Sequence, residues 1–570
     1  MKPVRLPAAA TLALPRWGLV ALCLLYILPG LVRREPWKTD DAAGFGIMWT
    51  MARGGWQDWL WPHIAGLPMP DEGPLAFWIG AVCIHLFGWL LGDALAARIS
   101  TIVFFLIGAM SVWYAAYRLG RRPEAQPLSL AFGGQPEPRD YGRTLADGAL
   151  LIYLASLGLL LRSHETSAEA LQISLVCCAF YAAVRLFDSR SWTDAAVLGV
   201  TFGLLVLTRG WPVPLALWLG LLAAAFGRDR GIALRLGLAT LPCAAALGIS
   251  WPLAVWLAQP FHSSPIPGWM AWNLHRLGWP SAAAFTHYFR YIVWYAWPAW
   301  PFAGWAVYAW RREAGALHIV LPLTFIGSLT ALLMLNPAPE ETGLLPLLPP
   351  LAILAAFGLP TMKRGAINAV DWFSVMMLTG CAAFIWIGWI AKQTGWPAQL
   401  AKNAFKLAPG FQPEFNLPAF MVAAAATVGW ILLVRWRVTR QPSVLWRAVV
   451  LSSGGVILCW LLLMTLWLPW LDYGKSYSGV ARQLAERLPA GGYCVDTNVA
   501  SAQRASFAYF GHVDFAGFGQ HGCNYLLLQD KIKQDSAALL NAWPGHWELL
   551  WEGRRPSDRD ERFRLYRRRP

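Results

Sequence analysis

What most constrains this chain is a succession of apolar runs, each near the ~20 residues an α-helix needs to cross the hydrocarbon core of a bilayer. They fall at about 17–32, 97–117, 145–161, 170–186, 192–208, 212–226, 236–258, 288–310, 316–335, 343–361, 368–391, 418–434 and 448–470. Inside lipid every backbone N–H and C=O must find its partner within the segment, so such runs are helices. Composition agrees: 57% of the 570 residues are hydrophobic and 14% are charged, against roughly 25% charge in a soluble domain. That excludes a disordered chain and an ordinary cytosolic enzyme. The expected fold class is an all-α polytopic membrane protein with about thirteen transmembrane helices.

A further apolar stretch, 75–91, is short and aromatic, and charge asymmetry decides how it lies. With the basic leader (Lys2, Arg5, Arg16) inside and this stretch interfacial, the cytoplasmic loops collect Arg118, Arg121, Arg122, Arg139 and Arg143. They also collect Arg228, Arg230 and Arg235, and later Arg435, Arg437, Arg440 and Arg447. Basic residues favour the cytoplasmic side, and a full crossing at 75–91 would put these clusters outside. The segment is therefore expected to be interfacial and the N-terminus cytoplasmic. The same rule accounts for the net charge of +15, so no nucleic-acid partner is expected.

An odd number of crossings sends the tail outward. Residues 471–570 are no longer membrane-like. A helix pattern at Ser478–Arg487 is followed by short runs at 493–496, 525–528, 547–551 and 562–566 that read as strands. The tail is expected to be a small periplasmic α/β domain. Of the nine cysteines, only Cys494 and Cys523 fall in this polar region; outside the cytoplasm the two would be able to pair.

This topology brings three acidic segments to one outer face: Asp40-Asp41 after the first span, Asp71-Glu72 before the interfacial helix, and Glu165 with Glu169 at the end of the fourth span. Any one pair alone is an ordinary solvated turn. Together they form a functional candidate, because ionisable groups at span ends are costly without a task or a partner. Adjacent carboxylates also repel and split their pKa values, which suits acid–base work or a metal.

The stretch Lys38–Trp78 resembles the first outer loop of GT-C membrane glycosyltransferases, nearest to lipid A aminoarabinose transferase and the bacterial relatives of protein O-mannosyltransferases. Asp40-Asp41 matches the family's Asp-Glu pair. Residues 59–68 (WLWPHIAGLP) and 71–78 (DEGPLAFW) follow at matching spacing. Glu169-Ala170-Leu171, Leu207-Thr208-Arg209-Gly210 and 344–352 (LLPLLPPLA) continue in the family's order, so the resemblance covers roughly 15–360. The chain departs from the pattern at Ala43 and Gly44 (Arg and Tyr in the family), at Glu72 (Lys) and at Gly343 (Tyr).

The resemblance implies a catalytic transmembrane module over 1–360, with its first periplasmic loop at 33–96. Additional helices at 361–470 and the tail domain 471–570 complete the chain. The implied reaction is transfer of a sugar from a polyprenyl-phosphate donor to lipid A, another glycolipid, a glycan or a protein on the periplasmic face of the inner membrane. Asp40 matches the catalytic base, with Asp41 second. Glu169 orients the base or acceptor, or simply offsets its helix dipole. Arg209 stabilises the leaving phosphate, or snorkels to the headgroups; Arg276 and Arg290 are alternatives. Asp71, Glu72 and Glu165 complete the expected binding residues. A divalent metal on Asp71 with His287, or with His262 or His275, is a further expectation, though the histidines have no zinc-like spacing. The rival classes are a lipid-sugar transporter and an inactive assembly partner.

Overall fold

The computed structural model describes residues 4–569 apart from 130–133, 260–264, 441–444, 518–519, 521 and 532–538. Among the described residues, eight helices are long and apolar enough to cross a membrane: Asp93–Arg121, Ala168–Ser189, Arg230–Ala258, Leu317–Met334, Glu341–Thr361, Gly365–Thr394, Leu417–Thr439 and Val449–Leu466. Four shorter apolar helices join them, at Arg16–Ile27, Leu75–Leu91, Trp192–Thr208 and Pro212–Phe226.

Two of the expected crossings are broken rather than continuous. The run at 145–161 is the helix Pro138–Ala155, interrupted at Ser156 before a short helix Leu157–Arg162. The run at 288–310 is divided between Ala282–Tyr295 and Ala299–Ala309, with Pro298 in the gap. Proline has no N–H to continue the hydrogen-bond ladder.

Small residues let the helices approach closely, as lipid-embedded bundles require. A side chain at Gly108 on Asp93–Arg121 would meet Ser174 of Ala168–Ser189, and Gly120 faces the Cα of Gly142. Ser174 Oγ donates to Phe104 O at 2.6 Å across the same contact.

The tail contains a four-stranded sheet in the order Val495–Thr497, Tyr525–Lys531, Glu561–Arg568, Trp547–Gly553. Its first pair is parallel and the other two are antiparallel. Tyr477, Val480, Leu484, Phe507, Leu527 and Phe563 form its core, and Cys494 is bonded to Cys523. The tail also carries a helix absent from the sequence reading, Ser501–Gly511, whose length and modest apolar pattern gave little periodic signal. That helix packs on Asp40–Arg53, with Ala505 filling the space above Gly46.

Candidate functional site

The acidic segments reach one another through close backbone approaches. Helix Asp40–Arg53 lies so near the loop 163–167 that a side chain at Gly44 would stand 1.9 Å from Thr166 O. The loop carrying Asp71 and Glu72 is tied to the end of Trp192–Thr208 by Gly73 N–H donating to Thr208 O at 3.0 Å. A side chain at Gly73 would stand 2.2 Å from Leu207 O.

The neighbouring residues Asp40 and Asp41 have different surroundings. Asp41 is fully buried. Its Oδ2 accepts from Arg34 Nη2 at 3.0 Å, Trp37 N at 3.0 Å and Arg98 Nη2 at 3.4 Å. Its Oδ1 accepts from Thr166 N at 2.9 Å and Thr166 Oγ1 at 3.0 Å. Burial alone would raise its pKa, but the two guanidinium groups and the backbone donors outweigh it and hold the carboxyl below the ordinary carboxylate range. Such a saturated carboxylate is an anchor for the 34–41 turn, with no lone pair left for a substrate proton. Asp40 faces the other way. Its side chain is 41% exposed and touches one cation, Arg162.

Arg162 bridges Asp40 and Glu165, the latter at 2.8 Å. Glu165 is buried, and burial lifts its carboxyl to about 7 against the pull of Arg162, with Asp41 and Asp40 adding repulsion. Arg209 forms a second bridge, with its Nη1 2.6 Å from Glu169 Oε1 and its Nε 3.8 Å from Glu72 Oε2. Burial raises the pKa of Glu72 well above the usual carboxylate range despite Arg209, and it raises that of Asp71 in the same way. The site is thus two arginines threaded through carboxyl groups from three separate stretches of chain.

Beside Arg209 lies a narrow cleft lined by Gln172, Trp272, Arg276, Asn336 and Glu340. Arg276 stacks 4.2 Å from the Trp272 ring and stands 3.5 Å from Glu340. Where the family pattern has a tyrosine, Gly343 leaves a gap that Tyr288 occupies from another helix, its hydroxyl 3.2 Å from the position of a Cβ at 343.

Asp40, Glu165, Glu72, Asp71, Glu169 and Arg209 are therefore gathered, with Arg276 on the cleft beside them. Arg290 is not part of this cluster; it is exposed on Ala282–Tyr295. The metal expectation is not supported. No group of three or more potential ligands assembles among the described residues. His287 packs against Tyr288 and Tyr291, His275 is exposed, and His262 lies outside the described residues. Arg162, Arg34 and Arg98 were missed in the sequence. Arg162 carried one usable sign, a cation at the end of an apolar run three residues before Glu165.

The tail region braces the same turn. Trp37 Nε1 donates to Asp472 Oδ1 at 2.6 Å, and Lys38 N donates to Lys475 O at 3.1 Å. Arg504 donates to the carbonyls of Ile64, Ala65 and Ala516 at distances of 2.6–3.1 Å.

Over 206 residues, 35% of this chain, the sequence is 27% identical to undecaprenyl phosphate-alpha-4-amino-4-deoxy-L-arabinose arabinosyl transferase 2 of Sodalis glossinidius (strain morsitans). The aligned stretch spans 32% of that relative's length. No family model matches the chain. Two crystal structures of ArnT from Cupriavidus metallidurans, one apo and one bound to undecaprenyl phosphate, match with a TM-score of 0.65 and 16% identity. The match covers 96% of this chain and 97% of theirs. The chain is a polytopic membrane protein with the fold of ArnT, as the sequence resemblance implied.

Proposed function

We propose that this protein is an integral-membrane glycosyltransferase that moves a sugar from a polyprenyl-phosphate donor to an acceptor hydroxyl or phosphate at the periplasmic face of the bacterial inner membrane. The observation that carries the reading is a half-exposed carboxylate, Asp40, joined through Arg162 to Glu165, four residues before the Glu169 that holds a buried arginine, Arg209, on the wall of the cleft. The relatives' names, with an undecaprenyl-phosphate-linked sugar in one and undecaprenyl phosphate in another, support the donor class.

In this reading Asp40 accepts the proton of the acceptor oxygen as that oxygen bonds to the anomeric carbon. The bond from the anomeric carbon to the phosphate oxygen breaks, its electron pair leaves with the phosphate, and polyprenyl phosphate is released. A positioned general base contributes typically ~10²–10⁴ in rate. Cationic groups aimed at the leaving phosphate oppose its developing charge; Arg209 and Arg276 are the groups that line the cleft. Arg162 sets the direction of Asp40, Glu165 holds Arg162, and Glu169 holds Arg209. Asp41 is a positioning residue rather than a second base. Asp71 and Glu72 form the acidic loop that approaches Arg209.

The test uses purified full-length protein, a radiolabelled undecaprenyl-phosphate sugar pool and extracted envelope glycolipid. Transfer of label is expected, with a loss of at least about 100-fold in Asp40→Asn. Undiminished transfer by that variant removes Asp40 from the mechanism. Movement of the carrier lipid across a vesicle without any glycosidic product identifies a transporter instead. For orientation, an alkaline phosphatase fused after residue 570 is expected to be active in cells. The Cys494–Cys523 bond supports that placement, since disulfides persist in the periplasm and not in the cytosol.

A further inference from the structure

On the side of the bundle formed by Gly365–Thr394, Leu417–Thr439 and Val449–Leu466 lies a cavity of about 450 Å³ that the proposed reaction does not use. Lys392, in the last turn of its span, lines it and is only 4% exposed. An ammonium group has three donors. One is spent on Leu466 O at 3.2 Å, and the charge otherwise rests against the rings of Trp467 at 5.1 Å and Phe411 at 5.5 Å. No carboxylate lies within ion-pair distance of it among the described residues.

A buried, unpaired cation is costly. Its place at a helix C-terminus offsets part of that cost, but leaves two N–H donors unused. A second cation, Arg33, stands on the same cavity, is exposed, and has no ion pair among the described residues. Of the two acidic residues on the wall, Asp472 is engaged by the Trp37 indole, and Glu414 is exposed at the rim.

Apart from Asn416 and Thr465, the remainder of the wall is apolar, with Trp389, Val422 and Met464 prominent. Val422 is 49% exposed on a span, so the cavity opens sideways to the level where acyl chains run as well as outward to headgroups. A free anion would meet this greasy wall with nothing to cover it. An anionic lipid satisfies both halves.

We infer that this cavity is a second lipid site, separate from the Arg209 cleft, which holds the phosphate headgroup of an anionic membrane lipid on Lys392 and Arg33 and its chains against Trp389, Val422 and Met464. The inference does not depend on the sugar-transfer reading. It requires only that these helices span a bilayer.

Native mass spectrometry of the full chain released from detergent tests it, with phosphatidylglycerol, phosphatidylcholine or inorganic phosphate added. Phosphatidylglycerol is expected to bind in preference to phosphatidylcholine. Lys392→Met is expected to weaken that binding at least about tenfold, the worth of one charge-assisted hydrogen bond. Lys392→Arg should retain it, and the exposed Lys402→Met should leave it unchanged. Where Lys392→Met fails to fold, Arg33→Met serves, with a smaller loss expected. Equal binding of phosphatidylcholine, undiminished phosphatidylglycerol on Lys392→Met or Arg33→Met, or competition by millimolar inorganic phosphate would each overturn the lipid site.

Discussion

The backbone N–H of Gly73 donates to the carbonyl oxygen of Thr208 at 3.0 Å, and this single bond places an acidic loop against the residue that precedes Arg209. No side chain fits there, because a Cβ at 73 would stand 2.2 Å from Leu207 O. Gly73→Ala must therefore push the loop away and separate Glu72 from Arg209. A loss of about 1–3 kcal/mol in stability is expected, as for other overpacked contacts, with sugar transfer reduced more than it is destabilised. Gly55→Ala, where a Cβ meets nothing within 4 Å, is the matched control. Thermal melts and transfer rates on the two variants decide the matter.

Arg209 is held by Glu169 at 2.6 Å and approached by Glu72 at 3.8 Å. Its removal leaves two buried carboxyls without their cation. Breaking a buried pair from one side costs about 3–5 kcal/mol, so Arg209→Met should lower the melting temperature markedly. The double variant Arg209→Met, Glu169→Gln should recover part of that loss without recovering transfer. Full recovery of transfer in the double variant would mean that Arg209 only neutralises Glu169 and does not serve the phosphate.

The helices were legible because lipid imposes one rule on every span, and that rule leaves its mark as an uninterrupted apolar run. Asp40 and Glu169 were legible as types in an order. What the order could not give was which member of an acidic pair is free. Asp41 is silenced by Arg34, Arg98, Trp37 and Thr166, partners as far as 125 residues away. Only the packing of three separate segments decides that. Glycines 44 and 73 are the clearest case: in the string they are absent side chains, and in the fold they are the contacts that close the site.

Glu165 gives the site a pH signature. Its carboxyl sits at about 7 in the folded protein, chiefly through burial, facing Arg162, Asp41, Asp40 and Arg34. An unfolded chain titrates it near ~4.3. Between those values the folded state holds a proton that the unfolded state has released, so stability falls as pH rises from about 4.5 to about 7 and is level above. The full effect is about 4 kcal/mol. Melting temperature against pH should show this slope, and Glu165→Gln should flatten part of it. An unchanged slope in that variant would assign it to the other buried carboxyls that titrate the same way, Asp71, Glu72 and Asp472.

Arg504 links the tail region to the first outer loop by donating to three backbone carbonyls. Arg504→Met would leave those buried acceptors unpaired at about 1–3 kcal/mol each. Proteolysis between residues 56 and 70 should accelerate, while undecaprenyl phosphate binding at the more distant cleft should fall less than the melting temperature predicts. Protease sensitivity equal to that of the unaltered protein would show that the loop is held by other contacts.

Glu72 stands where the family resemblance places a lysine, and the cleft's response to pH follows from that exchange. Burial raises the pKa of its carboxyl well above the usual range despite Arg209, so the charge that Arg209 meets on this side depends on pH. As pH rises through the folded pKa of Glu72, a carboxylate forms 3.8 Å from Arg209 Nε and cancels that charge. Undecaprenyl phosphate affinity should therefore decline as pH rises through that pKa. The phosphate itself completes its second ionisation near pH ~6, which pushes affinity the other way and acts on every variant alike. In Glu72→Gln the decline should vanish and only the ligand's own trend remain. An identical decline in both proteins would show that Glu72 is not the group whose charge the phosphate senses.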